Sequence, residues 1–176
     1  MRYMTIISSL LSLLLTSCSE VYFEQPQPPG KTNISAFPHK IHGLYLTPEG
    51  DSMLSIYNNH IMYYMDQEKG LRFTMNDNLI ARKYRGDYYI NINDTENPYW
   101  MVFLFTFKKG NLLLKYPDLQ DGDLEKFRKI ATIREANEFH EPLFSGYLLN
   151  PSLKELRQLV KEDFFMATDT LVKAIK

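Results

Sequence analysis

Between residues 37 and 116 the chain alternates short apolar runs with backbone-turning residues, and this punctuation constrains the fold more than any other feature. Residues 53–57, 61–65, 71–75, 79–84 and 88–92 are rich in Ile, Tyr, Phe and Met, side chains suited to a pleated, half-buried surface. Between them stand Pro48-Glu49-Gly50-Asp51, Asn58-Asn59, Lys69-Gly70, Asn76-Asp77-Asn78 and Arg85-Gly86-Asp87, all turn formers. No helical pattern separates them, so the region predicts antiparallel hairpins forming a barrel or sandwich. Residues 71–75 alternate cleanly, one face apolar and one polar. The run from Tyr99 differs. Met101, Phe103, Phe105 and Phe107 fall on one face and Trp100, Val102 and Leu104 on the other, which predicts a strand covered on both sides. Lys108-Lys109-Gly110-Asn111 then turns the chain into a hairpin partner over 112–116.

The carboxy-terminal third changes character. Residues 124–129 suit a helical turn or two, and a longer helix starts after Asn150-Pro151. Ser152 and Glu155 have capping-box spacing, and Leu153, Leu156, Leu159 and Val160 form one stripe, giving a helix to about Glu162 that packs on the sheet. For 164–166 and 171–175 the periodicity leaves strand and short helix open. The expected class is therefore mainly β (α+β), an antiparallel barrel or sandwich carrying a C-terminal helix.

Composition narrows the function. The 176 residues are 44% hydrophobic and 14% aromatic, enough to build a core, and their net charge of −1 lacks the basic field of a general nucleic-acid binder. A single cysteine excludes an intramolecular disulfide and any multi-cysteine zinc or iron–sulfur site.

That cysteine is informative by position. Met1-Arg2-Tyr3-Met4 is followed by an apolar run over 5–15, too short to cross a membrane, where about 20 apolar residues are needed. Leu15-Thr16-Ser17-Cys18 then resembles the bacterial lipobox. The resemblance implies a signal peptide over 1–17, cleavage before Cys18 and acylation of that cysteine with diacylglycerol and palmitate-type chains. Several chains are what stable anchoring requires, because one alone holds only marginally. Residue Ser19 is not aspartate, so by the same resemblance nothing retains the protein at an inner membrane, and an outer-membrane location follows with its face undecided. Residues 18–36, with Pro26, Pro28 and Pro29, read as an extended tether holding a single domain over 37–176 away from the bilayer. The stretch 23–30, with Phe37-Pro38 and Ile41-His42-Gly43-Leu44-Tyr45, resembles small lipoproteins of Bacteroidetes-type bacteria, most clearly over residues 1 to about 60. It implies a compartment and an architecture and carries over no catalytic residue. Gly43-Leu44-Tyr45 also resembles the Gly-x-Trp opening of lipocalins, with tyrosine for tryptophan.

The remaining chemistry is sparse. His39 and His42, three apart on an expected strand, point to opposite faces and make a poor pair of metal ligands, while His60 and His140 lack partners in sequence. Asp118, Asp121, Asp123 and Glu125 surround Gly122 without calcium-loop spacing and read as a solvated loop entering a helix. Arg85-Gly86-Asp87 reads as a turn. Asn33-Ile34-Ser35 and Asn93-Asp94-Thr95 match glycosylation sequons, which mean little in a bacterial lipoprotein. Tyr57, Tyr63, Tyr64, Tyr84, Tyr88 and Tyr89 lie in or beside strands, as core packing or as the lining of an apolar mouth. No catalytic residue, cofactor or metal is expected. The leading expectation is a non-enzymatic binding or assembly module contacting an envelope protein. A lipocalin-like carrier of a small apolar molecule comes second and an unrecognised hydrolase around His140 third.

Overall fold

The structure, a computed structural model, describes residues 20–48, 50, 53–64, 70–76, 78–93, 98–117, 119, 123–135 and 146–174. Cys18, Asp118, Asp121 and His140 therefore lie outside the described residues.

Two meanders follow the turn signals. The first runs β2 (Gly43–Leu46), β3 (Met53–Ile56), β4 (His60–Tyr64) and β5 (Gly70–Thr74), each antiparallel to the next. The second runs β6 (Leu79–Tyr84), β7 (Asp87–Asn93), β8 (Trp100–Lys108) and β9 (Asn111–Pro117). The last strand, β12 (Phe165–Lys173), pairs with both β9 and β2 and joins the meanders into one curled sheet. β6 pairs with β7 alone and β5 with β4 alone, so the sheet is not closed into a barrel.

The dual periodicity of β8 organises the interior. Met101, Phe103, Phe105 and Phe107 face a core inside the curl, which also holds Tyr45, Ile56, Ile61, Leu79, Ile90 and Leu112. Val102 and Leu104, with Trp100 packed beside them, face a second core on the outer side. That outer face is covered by α1 (Asp123–Arg128) and α2 (Leu153–Lys161), with β1 (Glu20–Phe23), β10 (Ile133–Glu135) and β11 (Gly146–Leu149) extending the sheet. In α2 the Ser152 side chain accepts the Glu155 amide and the Glu155 carboxylate accepts the Ser152 amide. Hydrogen bonds to that carboxylate from the Ser152 amide first, and from the Ser152 side chain second, hold the Glu155 carboxyl below its ordinary range. Leu156 and Leu159 are fully buried, so the stripe read from sequence is the face that packs.

In β12 the register shifts between Ala167 and Asp169. A bulge adds one residue to one strand and reverses the alternation beyond it. Phe165 accordingly enters the outer core and Leu171, an even number of residues later, the inner one. This is why periodicity left the segment undecided.

The largest departure from expectation is the amino-terminal segment. From Glu20 on it is not an extended spacer. β1 pairs parallel with β11 and meets β8 at Trp100, and Phe23 is fully buried against Phe165. Gly146 permits this approach, since a Cβ there would lie 2.2 Å from the Glu20 carbonyl oxygen. The proline-rich stretch, with a cis Gln27–Pro28 bond, is clamped from the domain. Buried Asn91 accepts the Gln27 amide (2.5 Å) and donates to the Gln27 and Ile80 carbonyls (2.9 Å each). Arg82 donates to the Pro28 carbonyl at 2.8 Å, to the Pro26 carbonyl, and to Asn33 Oδ1 at 2.8 Å. The prolines remove backbone donors, and side chains of β6 and β7 supply partners for the carbonyls that remain. Beyond it, Asn33 bridges Arg82 and the Ile34 amide donates to the Ala81 carbonyl, covering the outer edge of β6. Phe37 and Ile41 then plug the inner core.

Asn91→Ala leaves the buried Gln27 amide and carbonyl without these partners, and urea denaturation should show a loss of about 3 kcal/mol. A loss under about 0.5 kcal/mol, the size typical of a surface substitution, would contradict the clamp.

Candidate functional site

Because β5 and β6 do not pair along their length, the curled sheet leaves an apolar cleft of about 390 Å³ between the two meanders. Leu54, Ile61, Tyr63, Leu71 and Phe73 line it from β3, β4 and β5. Ile90, Ile92, Met101, Phe103 and Phe105 line it from β7 and β8, and Leu114 and Tyr116 from β9. Every one of these side chains is hydrocarbon, thioether or aromatic; the two tyrosine hydroxyls are the polar atoms they carry. The cleft lies within the size range of small-molecule sites, which are mostly apolar with a few polar groups.

The rim is exposed. Leu71 is 53% accessible and Tyr116 36%, and Met166, paired with Tyr116 on β12, is 40% accessible. Directly opposed residues share a face, so Met166 prolongs the apolar surface beyond Tyr116. The alternation of 71–75 resolves accordingly: Leu71 and Phe73 turn to the cleft and Met75 into the core below.

The tyrosines divide. Tyr63 lines the cleft, and Tyr88 lies in the inner core edge-on to Phe107. Tyr89 is buried in the outer core, where burial first and Asp87 second raise its hydroxyl pKa. Tyr84 packs on the outer core beneath Lys31, and Tyr57 is exposed, stacked on His60 at 5.3 Å between ring centres.

A second, larger hollow of about 910 Å³ lies around His39, His42, Gly43, Leu44, Tyr57, Lys173 and Ala174. It corrects the expectation for the histidines. Residues His39–Ile41 form a 3₁₀ turn, not a strand, and such a turn eclipses positions three apart. The two rings therefore meet, 4.8 Å between centres, instead of facing apart. His60, by contrast, stands next to Asn59, its Nδ1 3.2 Å from Oδ1; burial first and Arg72 second lower its pKa.

Of the acidic cluster, Asp123 and Glu125 occupy the first turn of α1, and Glu125 pairs with Arg128 at 3.1 Å. Among the described residues no three His, Cys, Asp or Glu side chains converge as a metal set. Arg85 and Gly86 adopt positive φ in the β6–β7 turn, and Asp87 accepts from the Thr106 hydroxyl at 2.7 Å. Compared with known proteins, the chain matches no family model, no curated protein and no solved structure.

Proposed function

We propose that this chain is a lipid-anchored envelope protein whose β domain is a non-enzymatic binding module, taking a small apolar molecule into the cleft between its meanders. The observation that carries the reading is the cleft itself, with ten of its twelve lining residues purely apolar and its rim open to solvent. An interior filled by its own side chains would have left only a docking surface. Water in such a space is poorly hydrogen-bonded, so an apolar occupant gains roughly 25 cal/mol for each Å² of apolar surface removed from solvent.

The anchor rests on Leu15-Thr16-Ser17-Cys18. Cys18 precedes the first residue of β1 by two positions, and two residues span at most about 7 Å. The acylated cysteine then holds the domain against the bilayer, in place of the long spacer read from composition. An outer-membrane address accords with Ser19, and the apolar ligand class accords with a protein kept beside lipid.

Two measurements test the two halves. N-Phenyl-1-naphthylamine, a neutral apolar fluorophore, should bind the native protein saturably. Leu71→Glu, on the exposed rim, should weaken that binding about tenfold by setting a charge at an apolar mouth. Val172→Glu, equally exposed on β12 and outside the cleft, should leave it unchanged. Equal affinity in the Leu71 variant would overturn the ligand reading. Cys18→Ala should abolish palmitate labelling and release the protein from membranes, and persistent labelling would refute the anchor.

A further inference from the structure

The hollow at His39, His42 and Lys173 shares no residue with the apolar cleft and differs from it by its basic side chains. Two imidazoles and an ammonium line it, with no carboxylate among its described lining residues. Lys173 pairs with no described carboxylate. Its stem lies over Gly43, where a Cβ would sit 2.6 Å from Lys173 Cε, and its ammonium stands 5.8 Å from the centre of the Tyr45 ring. A glycine and an aromatic face thus seat the charge without neutralising it. Leu171 pairs with Leu112, so the end of β12 runs out beside the β8–β9 turn, which adds Lys108 and Lys109 to the same end of the sheet.

The histidine geometry narrows the ligand. His42 Nε2 lies 2.8 Å from the Phe37 carbonyl oxygen, which can only accept, so Nε2 carries a proton there. Nδ1 is left as the ring atom available to a ligand. An oxyanion bound to it needs one proton shared between oxygen and nitrogen, on whichever side that proton starts. A phosphate monoester has an ionisation near pH 6 and can bring this proton itself while offering further oxygens to Lys173, whereas a sulfate ester or a carboxylate binds there only when the ring is already protonated. Tyr57, 49% exposed, and Leu44 supply an apolar surface beside the cationic groups.

We propose that this hollow binds the phosphate of a small phosphomonoester, with Lys173, His39 and His42 on the phosphate and Tyr57 and Leu44 against its organic part. The inference is independent of the apolar-ligand reading of the cleft.

The probe is phenyl phosphate, titrated at pH 7 into the full chain and followed by amide chemical shifts. Saturable shifts are expected at His39, His42 and Lys173. Lys173→Met should weaken binding about tenfold or more, as expected for loss of a charge-assisted contact. His39→Gln with His42→Gln should do the same, and this pair carries the test if the lysine variant does not fold. Amide shifts away from the hollow should be unaltered in both, which reports an intact fold. Absence of saturable shifts, or variants that bind phenyl phosphate as well as the native chain, would overturn the site. Phenyl sulfate binding as tightly would overturn the assignment to phosphate, and inorganic phosphate binding as tightly would overturn the role of Tyr57 and Leu44.

Discussion

Strand β8 is the element on which the rest of the structure depends, because it is apolar on both faces and must be covered on both. Met101, Phe103, Phe105 and Phe107 enter the inner core and Trp100, Val102 and Leu104 the outer one. It also has three strand partners: β7 on one side, and on the other β1 at its start and β9 toward its end. The sheet divides there, one branch curling around the inner core and the other lying under α1 and α2. Val102 and Leu104 are almost fully buried, and burying a side chain of that size stabilises by about 1.5–3 kcal/mol. A polar residue on either face would cost one core its wall.

The same architecture explains why the curl stays open. Asn33 and Ile34 occupy the outer edge of β6, so that edge is satisfied without β5. Below, Phe37 and Ile41 plug the inner core. Above, nothing described fills the space between Leu71 and Phe103, and the cleft results. The amino-terminal segment that reads as a spacer is therefore packed into the inner core and along the free edge of β6.

Features encoded by local periodicity were legible in the sequence. The two faces of β8, the hairpins punctuated by Asn58-Asn59 and Arg85-Gly86, and the Ser152–Glu155 capping box all appear where residue spacing puts them. What was not legible arises from tertiary partners. The stretch 26–29 looks like a tether until Asn91 accepts from the Gln27 amide and Arg82 donates to the Pro26 and Pro28 carbonyls, both from more than fifty positions away. The histidine pair forms because Pro38 leads into a 3₁₀ turn, which one HxxH spacing does not reveal. β12 escapes a period-two reading because its bulge reverses the alternation midway. The cleft has no signal of its own, since Leu54, Ile90 and Leu114 would read the same in a filled core.

The central claim, a curled sheet held open at the β5–β6 seam, is tested most directly by native-state amide hydrogen exchange along β5. With β4 as its only strand partner, β5 should exchange much faster than β7 and β8, and an apolar ligand such as dodecanol should slow it. Exchange in β5 as slow as in β8 without ligand would mean that the seam is closed. Fast exchange unchanged by saturating dodecanol would mean that the cleft does not take an apolar ligand.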